Sequence, residues 1–290
     1  MIRKAPLKMN RCFAAGLALL FSDFFVSSAS AQTLPAPNLS LAQTSSSDFD
    51  WGFNTGFDYV SGKYGAKCAL ASVSLSCNST GTTVFVIPAS AMLQIQRLRL
   101  GVTVPYVDIE GPGHFSGNIG IPVIVAPDTT DPKHRSGLGD ITLDTAFILH
   151  REDILLPRIE IAGVIKLPSA GVGLGTGKTD FSAGVNLYRT LAPNLTAFGS
   201  LSYQWVGDNN TIRIYSGAHA TAGADFKFFS LGLGGIFDYR QSAWSGASDY
   251  FTFDPYVTWR MPGGLGISVY TMIGLTHSSP SQGIGTRLTL

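Results

Sequence analysis

Gly175-Thr176-Gly177-Lys178-Thr179 is the stretch that most invites a chemical reading, because glycines leading into Lys-Thr cradle phosphates in nucleotide-binding loops. Such a loop needs a glycine five residues before Gly177, and Val172 stands there. The residues that follow alternate like a strand where a phosphate loop opens a helix, so a glycine-rich hairpin link is the better reading. Histidine chemistry is no better supplied. His114, His134, His150 and His277 fall in links or at strand ends, and no pair has metal-ligand spacing. His219, in Gly217-Ala218-His219-Ala220-Thr221, lies on a strand pattern, where an inward-facing polar side chain is the plain assignment. No catalytic residue, metal or cofactor is assigned, and an enzyme is not expected.

What remains is charge at alternate positions. Asp140, Thr142, Asp144 and Ala146 fall on one face, with Ile141, Leu143, Thr145, Phe147 and Leu149 on the other. A period of two over ten residues is a strand. Arg158, Glu160, Ala162, Val164 and Lys166 repeat the division against Ile159, Ile161, Gly163, Ile165 and Leu167. A third run sets Asp180, Ser182, Gly184 and Asn186 against Phe181, Ala183, Val185 and Leu187. A soluble sandwich would send the apolar face to a second sheet. An outer-membrane barrel would send it to lipid and enclose the charged face in a lumen.

The rest of the chain separates the two. Arg3, Lys4, Lys8 and Arg11 precede the apolar run Phe13 to Phe21, and Ala29-Ser30-Ala31 supplies a small-residue cleavage site before Gln32. This pattern predicts an export signal over 1–31. Cys12 precedes the apolar run and is no lipid-attachment cysteine. The signal carries four of the 20 Lys+Arg and one of the 19 Asp+Glu, which leaves 16 against 18. No basic surplus remains for nucleic acid. Charged residues make up 13% of the chain, well below the usual share of about 25%. No mature stretch is apolar for the roughly 20 residues a spanning helix needs, so the apolar residues must be dispersed on alternating strands. Cys68 and Cys77 are the remaining cysteines. In an oxidising compartment they can close a small loop as a disulfide, or stand as two loop thiols whose geometry forbids the bond.

Residues 32–49 show no periodicity and read as a flexible periplasmic leader, or as a plug if they fold back into a lumen. Residues 50–290 form the barrel domain. Strand one sets Trp51, Phe53, Thr55, Phe57 and Tyr59 outward and Gly52, Asn54, Gly56 and Asp58 inward. Strand two covers about 82–95, and strand three alternates Leu98, Leu100, Val102, Val104 and Tyr106 with Arg97, Arg99, Gly101 and Thr103. Strands four to six are the charged runs, preceded by a long link over about 109–137. Strands seven to twelve are expected at 194–206, 213–225, 227–240, 248–260, 267–275 and 282–290. Phe229 is placed on the lipid face of strand nine. Pro255, inside strand ten, predicts a bulge or a displaced boundary.

The fold class is therefore all-β, a closed antiparallel transmembrane β-barrel of about 12 strands, an even number as bacterial barrels have. Closure is required because an open sheet edge cannot be hydrogen-bonded in lipid. The early links alternate long and short as for a periplasmic N-terminus, while the later ones are all short and leave the orientation undecided. Twelve strands lie between the filled eight-stranded and the open sixteen-stranded barrel, so a narrow lumen is expected. Its lining is Arg97, Arg99, Arg158 and Lys166 against Asp58, Asp140, Asp144, Glu160, Asp180 and Asp254, with neither sign dominant. Strand four runs down from Asp140, strand five up to Lys166 and strand six down from Asp180. The three should meet near the outer mouth, either as charges satisfying one another in a wall or as a polar constriction.

Ser136-Gly137-Leu138-Gly139-Asp140, Lys166-Leu167-Pro168-Ser169 and Gly175-Thr176-Gly177-Lys178-Thr179-Asp180-Phe181 resemble the signatures of the outer-membrane family named for the meta-cleavage pathway of phenol degradation, the MetA type. The resemblance is sharpest over about 136–188. Ser169-Ala170 departs from the Thr-Gly usual after the proline. Many outer-membrane barrels end in Phe and this chain ends in Leu290, which bears on its signal to the barrel assembly machinery. The resemblance implies a Gram-negative outer-membrane barrel, surrounded by outer-membrane lipid, that passively admits small hydrophobic or aromatic compounds. A second and looser resemblance, of the His219 region to outer-membrane phospholipase A, implies the alternative of a structural barrel or lipid hydrolase without an open pore. Ala222 stands where that pattern has an orienting Asn.

Overall fold

The computed structural model describes residues 49–62, 82–111, 114–118, 121–125, 134–207, 215–243 and 248–290. The expected export signal, the expected leader up to residue 48 and both Cys68 and Cys77 lie outside the described residues.

Fifteen strands are found among the described residues. They are β1 (Phe49–Gly62), β2 (Thr82–Ile95), β3 (Leu98–Glu110), β4 (His114–Asn118), β5 (Ile121–Val125), β6 (His134–Leu138), β7 (Thr142–His150) and β8 (Arg158–Lys166). The series continues with β9 (Asp180–Ala192), β10 (Leu195–Trp205), β11 (Gly217–Phe228), β12 (Leu231–Arg240), β13 (Tyr250–Arg260), β14 (Gly266–Gly274) and β15 (Gln282–Thr289). Antiparallel ladders run β1-β2-β3-β7 and on from β7 to β15 in chain order, and β15 returns to β1 through Asn54↔Thr289 to Ser61↔Gln282. The barrel sheet thereby closes on itself. β6 and β7 pair with successive parts of β3 and act as one strand interrupted at 139–141, so the barrel wall has twelve strands.

The long link after β3 contains structure of its own. β3 runs on to Glu110, where β6 pairs with it, and β4 and β5 pair with each other in a separate two-stranded sheet.

The wall obeys the alternation. Trp51, 67% exposed, and Phe53, Phe57 and Tyr59 face outward on β1, while Asp58 and Val60 are buried inward. The outward apolar side chains continue around the wall, from Leu100 and Phe147 to Leu201, Phe237, Val257 and Ile273. Such a surface in water would be an aggregation hazard, and in a bilayer it is the lipid contact. Aromatics gather at its two margins: Phe49, Trp51, Phe228 and Trp259 at one, and Phe181, Tyr203 and Trp205 at the other. This is the pair of girdles expected where a barrel meets the headgroups.

Link lengths separate by end more cleanly than alternation suggests. One end carries 96–97, 151–157, 193–194, 229–230 and 261–265; the other carries 63–81, 111–133, 167–179, 206–216, 241–249 and 275–281. The later links differ between ends because several strands stop earlier or later than the period implies. Short turns mark the periplasmic end.

Three expectations are corrected. Arg97 is exposed in the two-residue turn between β2 and β3 and does not line the lumen. A period of two read backward from Arg99 passes through that turn without a signal. Phe229 sits in the β11–β12 turn with φ 54°, so β11 extends to Phe228 and β12 starts at Leu231. Pro255 causes no bulge. It pairs in register with Gly235 on β12, and the β13–β14 ladder lapses at 254–255 and resumes unshifted at Tyr256↔Tyr270.

Candidate functional site

At the outer end Lys166 Nζ lies 3.2 Å from Asp140 Oδ2 and 2.7 Å from Asp180 Oδ2, with all three side chains buried. β8 delivers Lys166 to the mouth, β9 begins with Asp180, and the break between β6 and β7 presents Asp140. The three elements are neighbours through Thr142↔Lys166 and Lys166↔Asp180.

The cluster also organises link 167–179. Lys166 donates to Thr176 Oγ1 at 2.6 Å, Asp140 Oδ1 accepts from the Ala170 amide at 3.0 Å, and Ser169 Oγ accepts from the Ile141 amide at 2.7 Å. Asp180 Oδ1 accepts from the Gly207 amide at 3.0 Å, which ties the next outer link to the same group. Gly173 (φ 75°) and Gly177 (φ 65°) turn the link back on itself through the left-handed region that glycine tolerates. Its Leu174 is thereby buried in the inward apolar cluster with Val60, Val84, Val107 and Ile109. The stretch that looked like a phosphate loop is part of this inward cap, followed by strand β9 and not by a helix.

Near the periplasmic end of the same wall, Arg99 Nη2 lies 2.9 Å from Glu160 Oε2, and Arg158 pairs with the other oxygen of Glu160. Asn186 Nδ2 reaches Glu160 Oε2 at 3.5 Å, and the Arg158 guanidinium lies 5.5 Å from the centre of the Tyr188 ring. Asp144 stands over Gly101 of β3, on the same inward face, where a Cβ at Gly101 would collide with its carboxylate. The charges are thus sorted. Two carboxylates surround one ammonium at the outer mouth, and two guanidiniums surround one carboxylate toward the inner one.

Sequence reasoning placed Asp58 in the lumen but missed its partner. Arg287 of the last barrel strand grips Asp58 of the first with Nη1–Oδ1 at 2.7 Å and Nη2–Oδ2 at 2.6 Å. Tyr270 donates its hydroxyl to Asp58, and Arg287 lies 5.5 Å from the Tyr270 ring centre. Arg287 shares the inward parity of Gly285 and Thr289, opposite Ile284 and Leu288, and that signal would have found it. Continuing parity would likewise have found the inward Tyr188, Phe198 and Tyr250, all of which are buried.

His219 Nε2 lies 2.9 Å from Asp238 Oδ2, and Asp238 also accepts from Arg240 Nε at 3.1 Å. Ser200, on the adjoining strand, bonds Thr221 at 2.7 Å. This is the geometry of a satisfied wall residue, with His219 committed to a carboxylate that an arginine shares. Asp254 is buried beside Thr252, which donates to its Oδ2 at 3.1 Å.

The inward face therefore combines ion pairs, carboxylates held by hydroxyls such as Asp225 and Asp254, and an apolar and aromatic cluster of Tyr188, Phe198, Ile236, Tyr250, Tyr256 and Met272. Such a lining disfavours strong ion selection, which needs a ring of one sign. It suits weakly polar solutes.

A family described as "Putative MetA-pathway of phenol degradation" matches residues 81–290. Among solved structures, the COG4313 outer membrane channel from Pseudomonas putida F1 superposes with a TM-score of 0.61 at 12% identity, covering 82% of this chain and 94% of that one. A KdgM porin in complex with disordered oligogalacturonate gives 0.45 at 8% identity over 82% and 96% of the two chains. A TodX monoaromatic hydrocarbon channel mutant gives 0.43 at 10% identity over 93% and 94%. The first likeness shows the fold, and the other two add nothing to it. No curated protein matches the chain.

Proposed function

The chain belongs to the family described as "Putative MetA-pathway of phenol degradation", and from that premise we propose that it is an outer-membrane channel admitting small hydrophobic or aromatic compounds by passive diffusion. The observation that carries this reading is the inward aromatic and apolar cluster inside a closed wall. A pore that selects ions sets charged groups of one sign along its axis, whereas this wall sets rings and apolar side chains there between paired charges.

In this reading the cap formed by link 167–179 and the Lys166–Asp140–Asp180 cluster is the outer polar constriction. A solute passes when the cap parts from the wall, meets the aromatic cluster, and leaves past Arg99, Arg158 and Glu160. The ion pairs keep the barrel shaped without holding the solute, because their charges meet one another. The surrounding partners are outer-membrane lipid and, during biogenesis, the barrel assembly machinery.

The test is entry across an intact lipopolysaccharide-bearing outer membrane. Cells that consume an aromatic compound should deplete it faster at limiting concentration when they carry this protein than when its gene is deleted. Equal depletion rates, with the protein present and folded, would reject the channel.

A further inference from the structure

Six inward positions lie in one register row across six consecutive strands. Asp225 (β11) pairs with Gly234 (β12), Gly234 with Tyr256 (β13), Tyr256 with Tyr270 (β14), Tyr270 with Gly285 (β15), and Gly285 with Asp58 (β1). The row reads Asp-Gly-Tyr-Tyr-Gly-Asp, the same in both directions. Each tyrosine reaches over the glycine of the neighbouring strand to the aspartate of the strand beyond. Tyr256 donates to Asp225 Oδ1 at 3.0 Å, and Tyr270 donates to Asp58 Oδ1.

The glycines are required by this arrangement. A Cβ at Gly234 would run into Cζ and the hydroxyl of Tyr256, and one at Gly285 into the same atoms of Tyr270. Without side chains there, both rings lie along the wall and point away from each other. Both rings are covered in this state, Tyr256 at 3% and Tyr270 at 1% exposure, so a solute meets their faces only when the packing above them parts.

The two halves are not equally fixed. Tyr270 is bonded to an aspartate that Arg287 clamps with two bonds, and the same guanidinium lies over its ring. Tyr256 is tethered through its hydroxyl to Asp225, and its own strand loses a ladder donor at Pro255 next to it.

We propose, resting on the channel reading above, that this row is the shape-selecting layer of the lumen, with Tyr256 the member that yields and planar aromatic rings the class it favours. A flat ring slides along tyrosine faces and gains an aromatic pairing as it passes. A puckered ring of the same size and polarity holds Tyr256 further from its resting place.

The test compares benzamide with cyclohexanecarboxamide, which differ in flatness and share the amide, by stopped-flow swelling of proteoliposomes after subtraction of the protein-free rate. The wild-type protein should pass benzamide faster by roughly two- to tenfold, the size of one aromatic pairing. Tyr256→Leu should bring the ratio close to one while Tyr256→Phe keeps it. Gly234→Ala should slow both solutes by pushing the ring off the wall. Heat-modifiable gel migration establishes that each variant is folded, and Tyr256→Ala serves in place of any variant that is not. A wild-type ratio near one, or an unchanged ratio in folded Tyr256→Leu, overturns this inference alone. Failure of the wild-type protein to pass either solute overturns the channel reading instead.

Discussion

Lys166 Nζ lies 2.7 Å from Asp180 Oδ2 while the same ammonium donates to Thr176 in the link that joins their two strands. One cation therefore holds both the strand ends and the cap between them. Lys166→Ala leaves Asp140 and Asp180 buried without their counter-charge, a loss of about 3–5 kcal/mol where no relaxation occurs. The cap can relax, so we expect the barrel to assemble and the link to open. Solute flux should rise and protease cleavage within 167–179 should appear. Unchanged flux would remove the cap from the permeation path.

Arg287 and Asp58 join the last barrel strand to the first, and both are buried. Replacing Arg287 with Met strands the carboxylate, whereas replacing Arg287 and Asp58 together with Met and Leu removes both charges. The single variant should lose about 3–5 kcal/mol, and the double variant should recover most of it. Unfolding in detergent followed by tryptophan fluorescence measures both, and a double variant no better than the single would mean that the pair is not coupled.

How much of this was legible before folding depended on the range of the interaction. The Lys166 cluster could be placed from sequence because its members sit at the ends of consecutive strands, where parity and direction suffice. The Asp58–Arg287 clamp joins residues far apart in sequence, and only the closing register decides that Gly285 faces Asp58 and leaves Arg287 two pairs away on the same face. The tyrosine row needs five registers at once. Phe229 misled for a local reason: it enters the left-handed region in a two-residue turn where glycine or asparagine usually signals the reversal. Arg97 misled similarly, since its neighbour Gln96 turns the chain at φ 52° without a glycine.

Leu201 faces outward at the middle of β10 beside Val185 of β9. If that face meets acyl chains, Leu201→Arg should destabilise the folded protein in lipid vesicles by about 2–4 kcal/mol. Chemical unfolding from vesicles reads this directly. A negligible effect would place Leu201 in water and contradict the sidedness of the wall.

In the periplasmic turn 151–157, Asp153 accepts the amides of Leu155 at 2.8 Å and Leu156 at 2.7 Å. Those bonds hold its carboxyl below the ordinary aspartate value, with His150 and Arg189 adding to the effect. A depressed folded pKa contributes stability above the unfolded value, and that contribution disappears as pH falls through the folded one. The difference in thermal midpoint between the wild-type protein and Asp153→Asn should therefore be present at neutral pH and shrink as pH falls below about 4. A constant difference would show that the turn does not depend on this ionisation.

A closed barrel with an aromatic interior should pass small aromatic solutes. The most direct test of this is the initial swelling rate of liposomes containing the purified protein in an isotonic benzamide gradient, set against protein-free liposomes and liposomes containing the protein heat-denatured before reconstitution. Swelling should be faster with the folded protein than with either control, and faster again with Lys166→Ala. Identical rates in all preparations would contradict it.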